Sequence, residues 1–403
     1  MKLSLVSALA LGLLLTGAAY ADDKVVKIGS LSDQSSLYAD AGGPGSTLAA
    51  QMAVEDSGLT AKGWTISVIA SDHQNKPDVG SGIARKWLDE DKIDAIVDVP
   101  NSGVALAVSG VVKEKNGVFL NSGAASSDLT GKACSPNTVH WTYDTYALAH
   151  STGQAVVKAG GDTWFFLTAD YAFGHALQRD TSAVVEANGG KVLGSISVPL
   201  NTPDFSSFLL QAQSSKAKII GLANAGGDTT NAIKQAHEFG IAGGGQKLAA
   251  LLLFITDINA IGLDVAQGLQ FTETFYWDLN DGTRAFSKRF SERMKNHSMP
   301  TMVHAGVYGA TLHYLKALEA LGGNPHDGAK VVAKMKEMPT DDPLFGKGVI
   351  REDGRAIHPA YLFEVKSPAE SKYPWDYYKL ISTTPGDQAF RTLSEGECPL
   401  VKK

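Results

Sequence analysis

Short apolar runs alternate with longer amphipathic ones along most of this 403-residue chain. VVKIGSL (25–31), WTISVIA (64–70), IDAIVDV (93–99) and GVFL (117–120) are rich in Val, Ile and aromatics and stop near Gly, Ser, Asn or Asp. That is the pattern of buried strands. Between them apolar residues recur at helical spacing: Val79, Ile83 and Trp87 fall four apart, as do Leu48 and Met52, and a run from Val104 to Val108 follows Gly103. The pattern then restarts with TWFFLTA (163–169), KVLGSISV (191–198), AKIIGLA (217–223) and LAALLLFI (248–255). DTTNAIKQAHEFG (228–240) is predicted as a helix capped by Asp228 and stopped by Gly240. Two successive βαβ series imply two parallel sheets, each covered by helices on both faces. In the last third, 268–277 reads as a strand, 283–296 and 303–323 as long helices, and 345–365 as a hairpin turning at Asp353-Gly354. After Lys366 the chain reads as irregular packing over the surface.

The N-terminus changes the picture of where such a protein works. MKLSLVSALALGLLLTGAAYA has Lys2, an apolar run through Leu15 and an Ala19-Tyr20-Ala21 cleavage pattern, the three parts of an export signal. Cleavage near Ala21 predicts a periplasmic protein starting at Asp22, with 35 Lys+Arg against 42 Asp+Glu and a net charge of −7. Modest acidity with scattered cations argues against a nucleic-acid partner. No later stretch is long and apolar enough to span a membrane. The size of the mature chain predicts two domains, and a monomer is expected. Export to an oxidising compartment predicts a disulfide between the two cysteines, Cys134 and Cys398.

Catalytic signatures are missing. There is no H-E-x-x-H, no G-x-S-x-G, no phosphate-loop lysine motif, and GGPGSTLA (42–49) follows no strand directly. Ten histidines are spread without a pair at ligand spacing, so no metal, no cofactor and no enzyme activity are expected. Instead five strands end in small, hydroxyl, amide or aromatic groups: Asn101-Ser102-Gly103, Ser122 to Ser126, Asp170 to Gly174, Asn224 to Gly227, and Thr256-Asp257. Turn chemistry alone explains any one of these. Five together, at the carboxyl ends of strands in two facing units, describe a cleft that binds a small molecule.

KIGSLSDQSSLYADAGGPGSTLAAQMAVED, AIVDVPNSGVALAV, GVFLNSGAASSDLT, FFLTADYAFGHAL and YGATLHYLKALEALGG together resemble the branched-chain amino-acid type of periplasmic binding protein, the soluble receptors of ABC importers. The likeness runs through nearly the whole mature chain. It implies a type I α/β fold, two Rossmann-like lobes joined by three crossovers and closing over a ligand. The lobes are expected at 22–142 with 274–345 and at 143–273 with 346–403. It also implies an ABC permease as partner. By the resemblance, Tyr38 matches the tyrosine before the first helix, Ser102 (after Asn101) the hydroxyl that meets the ligand carboxylate, and Gly123, Ala124 and Ala125, with Ser126, the loop that offers backbone N–H groups to it. Phe173, with Tyr171 close by, matches the aromatic of the second lobe's first loop, and Asn224 stands where the family often has an aromatic. Amino-acid binders place a glutamate after the LLLFI run; this chain has Asp257, a few positions late. Without a paired anion a buried ammonium is disfavoured, so the expected ligand is a carboxylate with an apolar body. The aromatics Tyr38, Tyr146, Tyr171, Phe173 and Trp277 suit a flat ring, as in the subgroup associated with aromatic acids. Amino-acid uptake, which needs an acid in the cleft, and an exported sensor module are the other readings.

Overall fold

The computed structural model describes residues 24–402, so the export signal lies outside the described residues. β1 (Val25–Ser32), β2 (Thr65–Asp72), β3 (Ala95–Asp98), β4 (Val118–Asn121) and β5 (Thr138–His140) form one all-parallel sheet in the order β2-β1-β3-β4-β5. The helices α1 (Gly43–Ser57), α2 (Pro77–Lys86) and α3 (Ser102–Lys115) connect its strands. β3 and β4 are buried along their whole length, which is why they read as unbroken apolar runs. Edge strand β2 alternates between more and less exposed positions, as a strand with one wet face does.

The second sheet is also parallel, in the order β7-β6-β8-β9: β6 (Thr163–Ala169), β7 (Lys191–Val198), β8 (Ile219–Ala223) and β9 (Lys247–Ala250). It carries α4 (Ala172–Ala187), α5 (Ser206–Ser214), α6 (Gly227–Glu238) and α7 (Ile255–Ile261). The predicted bounds of β6 and β7 are those observed. Two details differ. The apolar run 248–255 is a strand only to Ala250; Leu251 to Phe254 leave the sheet as buried irregular chain before α7 starts. Asp228 does not cap α6, whose N-cap is Gly226; its carboxylate instead accepts from the N–H groups of Asn201 and Thr202.

The chain passes between the sheets three times: after β5, after β10 (Gln270–Glu273), and again before β14. After the second passage, α8 (Asp281–Arg293) and α9 (Met302–Leu321) pack on α1, and α10 (Gly328–Glu337) packs on α9. Thr301 caps α9 by accepting from the N–H groups of Val303 and His304, and nearly every residue of α9 is buried. The predicted hairpin is real only in part. β12 (Gly346–Ile350) turns back into the two-residue β13 (Ala356–Ile357), beside β11 (Thr340–Asp342). Those strands pack on α9 and α10 of the first unit, and Arg355 bridges to His140 of β5. The segment 346–357, which the sequence assigns to the second lobe, therefore sits on the first. β14 (Ala360–Val365) then joins β10 and β15 (Tyr378–Thr384) in an antiparallel sheet against the second unit.

The tail is tied down over the first link. Cys134 and Cys398 form a disulfide with Cα atoms 5.7 Å apart. Arg355 is fully buried, donates to the carbonyls of Thr142 and Ala356, and lies 4.3 Å from the centre of the Phe390 ring. Its counter-charge is Asp144, at 3.5 Å.

Candidate functional site

The carboxyl ends of both parallel sheets face a shared cavity, as open parallel sheets dictate. From the first unit come Tyr38, Ala41, Pro100, Gly123, Ala125 and Val303; from the first link Tyr143; from the second unit Tyr171, Phe173, Ala225, Leu252 and Phe254. No charged side chain lines it. Its free space is about 10 Å³, room for roughly one water. Larger hollows lie on outer surfaces, the largest about 560 Å³ beside α1 and Arg293 to Ser298.

Tyr38 is aimed by a buried carboxylate. Asp33 accepts from the N–H of Tyr38 at 2.9 Å, from Ser36, and from the Asn75 amide at 2.7 Å. Burial acts to raise Asp33, but these donors outweigh it and hold it below the usual carboxylate range. Across the cleft Tyr171 is the N-cap residue of α4, and its hydroxyl lies 2.5 Å from that of Tyr38. The N–H of Gly227 reaches the carbonyl of Leu37 at 3.4 Å. Gly226, at φ 58°, allows this approach: a Cβ there would sit 2.5 Å from the same carbonyl oxygen. Phe173 lies 5.9 Å from Tyr171 between ring centres, and Tyr143 meets Phe254 edge-on.

The loop after β4 has a one-sided hydrogen-bond account. Every carbonyl from Ser122 to Ser127 has a donor: the Thr142 hydroxyl, the Tyr143 hydroxyl (2.7 Å), the Asn121 amide (2.8 Å), the Thr145 N–H (2.8 Å), the Leu129 N–H (3.1 Å) and Arg391, in that order. The N–H groups of Ala124, Ser126 and Ser127 are bonded to Asn121, Ser102 and Thr145. Among the described residues no acceptor is bonded to the N–H of Gly123 or Ala125, the two residues of the loop that line the cavity. Buried N–H groups are rarely left unpaired. Two backbone N–H groups on one loop, at the rim of an apolar space, make an arrangement of the kind that suits an anion.

The expected site residues divide accordingly. Tyr38, Gly123, Ala125, Tyr171 and Phe173 meet at the cavity. Asn101 is the cap of α3, accepting from the N–H groups of Gly103 and Val104. Ser102 is buried and holds the Ser126 N–H at 3.2 Å, and Ser126 caps the next short turn. Ala124 packs in the core behind the loop. Tyr146 stacks on His150 at 3.7 Å, outside the lining. The Asn224 carbonyl oxygen accepts from Thr229, while its amide nitrogen is buried without a partner. Trp277 donates to the Trp375 carbonyl in a separate aromatic cluster. Asp257 is buried, accepts from the Phe254 N–H at 2.9 Å and does not line the cavity.

Sequence reasoning missed Ala41, Pro100, Tyr143, Leu252, Phe254 and Val303 at the cavity, and of the buried acids behind it named only Asp257 for the site. Burial pushes Asp98 and Asp228 up to about 6 and Asp257 up to about 7, and raises Glu273, which accepts from the Tyr378 hydroxyl. One signal was present: in IDAIVDVP an acid ends an apolar run two residues before proline.

A profile of periplasmic binding proteins matches residues 25–372. The crystal structure of a periplasmic binding protein from Burkholderia mallei is 52% identical, covers 94% of this chain and 100% of its own, and superposes with a TM-score of 0.90. A branched-chain amino-acid ABC transporter periplasmic ligand-binding protein from Burkholderia xenovorans LB400 is 39% identical over 93% of this chain and 99% of its own, with a TM-score of 0.81. An ABC-transporter solute-binding protein from Rhodopseudomonas palustris, in complex with 4-hydroxybenzoate, shares the fold at 22% identity and a TM-score of 0.80, over 90% of this chain and 97% of its own.

Proposed function

We propose that this chain, which belongs to the periplasmic binding protein family, captures a small organic acid with an aromatic body and delivers it to an ABC permease. The observation that carries this reading is the pairing of unclaimed N–H groups at Gly123 and Ala125 with a cavity walled by Tyr38, Tyr143, Tyr171, Phe173 and Phe254 and lined by no charge. Backbone dipoles hold a carboxylate without a cation, and the rings hold a flat body. The proposed lobes are the two parallel sheets with their helices, the first including 274–357 and the second 143–273 and the chain from β14. Because the free space is about 10 Å³, a ring is admitted only when the lobes part and the Tyr38–Tyr171 contact opens. The ligand then bridges the lobes, and closure is the state the permease reads.

A ligand in complex with the Rhodopseudomonas palustris neighbour, 4-hydroxybenzoate, is of this class. The amino-acid reading, which the Burkholderia xenovorans name favours, needs an anion at the cavity for the ammonium, and Asp257 is engaged with the Phe254 N–H. The test is a thermal-shift series on the mature protein with benzoate, 4-hydroxybenzoate, cinnamate and leucine. A ligand that binds only the folded state raises the melting temperature. A rise with an aromatic acid and none with leucine is expected; the reverse sinks the proposal.

A further inference from the structure

Asp98 ends β3 beside Asn121 of β4 and is wholly buried. One carboxylate oxygen, Oδ2, accepts from the Ser32 hydroxyl at 2.7 Å, and the Ser46 hydroxyl of α1 also faces this carboxylate and acts, like Ser32, to hold it charged against burial. The other, Oδ1, has no donor among the described residues. It lies against Gly123: a Cβ built there would sit 2.4 Å from it. The backbone at this point is unusual too. Asp98 and Val99 hold φ of 75° and 61°, the left-handed region, which is costly for a β-branched residue, and Pro100 then lines the cavity. The chain thus holds an unpartnered acid oxygen behind the residue that offers its N–H to the ligand.

No cation faces it. Asp33, from the turn after β1, adds a like charge, and the uncharged Tyr143 hydroxyl stands near from the link after β5. From α9, His304 bonds the Gly42 carbonyl at 2.8 Å, and a Cβ on Gly42 would lie 2.6 Å from Asp98 Oδ2; burial lowers His304 to about 4 and keeps it neutral. From β4 the neutral Asn121 lies beside it in register.

We propose that Asp98 binds a proton together with the ligand: when an organic anion settles on the N–H groups of Gly123 and Ala125, Asp98 takes up one proton from solvent. This rests on the organic-acid reading above. Two carboxylates on opposite sides of one glycine cannot both stay charged in a low dielectric, so the second forces the first to protonate. Burial already lifts Asp98 to about 6, close enough to neutral pH for that shift to occur. A ligand with an ammonium group at the same place would act with the opposite sign and expel the proton.

The test is isothermal titration of the mature protein with benzoate, or whichever aromatic acid stabilises it, in phosphate and in Tris at pH 7. The slope of heat against buffer ionisation enthalpy counts protons. More than half a proton taken up is expected, with Kd rising about tenfold from pH 6 to 8, since an affinity linked to one proton changes by at most tenfold per pH unit. Benzamide, which carries no charge, binds with no such dependence. Asp98→Asn keeps an oxygen for Ser32 and binds benzoate with a flat Kd and no uptake, which separates Asp98 from protonation of the ligand itself. Should that variant not fold, Asp228→Asn and Asp257→Asn decide: uptake unchanged in both leaves Asp98 as the acceptor, and uptake lost in either overturns the assignment. Benzoate binding with no proton uptake and a flat Kd overturns this proposal and leaves the organic-acid reading standing. Leucine bound with proton release, or no carboxylate bound at all, overturns both.

Discussion

At the cleft the first lobe presents the amide groups of Gly123 and Ala125 and the small side chains of Ala41 and Pro100, while the second presents the rings of Tyr171 and Phe173 with Leu252 and Phe254. Both faces are carboxyl ends of parallel sheets of the same kind. The difference lies in what fixes them. The first-lobe loop is held by hydrogen bonds to every carbonyl from Ser122 to Ser127 and by the strapped tail. Phe173, Leu252 and Phe254 of the second are held by side-chain packing, in the core cluster that also takes in Tyr38, Ala125 and Val303 of the first. On the proposed reading, one fold supplies a hydrogen-bonded socket at Gly123 and Ala125 from one side and an apolar wall from the other.

That contrast is open to attack from its strongest support downward. Cys398→Ser removes the strap. The bond spans 264 residues, and the chain-entropy model gives roughly 5 kcal/mol as an upper value. A lower denaturant midpoint is expected, with ligand affinity weakened less than stability. Gly123→Ala puts a Cβ 2.4 Å from Asp98 Oδ1 and 2.7 Å from the Pro100 Cα. Backbone cannot yield cheaply, so calorimetry should show about a 100-fold loss of affinity, in line with the ~1–3 kcal/mol cost of overpacking. Phe173→Ala should cost about tenfold, and its effect should depend on ligand shape, with benzoate and cinnamate affected unequally, because it alters the wall and leaves the socket intact. Tyr171→Phe removes one interlobe hydrogen bond worth ~1 kcal/mol; small-angle scattering of the unliganded protein should show a more open average, and affinity should change by no more than about fivefold. If Phe173→Ala weakened all carboxylates equally, the division of labour between lobes would fail.

Much of this was legible in the sequence because buried parallel strands advertise themselves. TWFFLTA and KVLGSISV gave strand bounds matching the structure. The run LAALLLFI did not, since a buried strand and the buried irregular chain of Leu251 to Phe254 demand the same apolar composition. The Asp353-Gly354 turn was readable, but β14 leaves its hairpin for another sheet, a long-range choice no local pattern encodes. At the cavity, small residues at strand ends pointed to Gly123 and Ala125. Tyr143 and Tyr146, three residues apart, could not be told apart until the chain's path after β5 was known; only Tyr143 faces the cleft.

The strap has a consequence in time as well as in space. A chain is made from its N-terminus, and Cys134 emerges long before its partner, 264 residues on. The segment that carries Gly123 and Ala125 therefore waits, unfastened, for almost the whole remaining length of the protein. A chain that stopped before Cys398 would hold every residue that lines the cavity and still lack the bond that fastens the loop beside it.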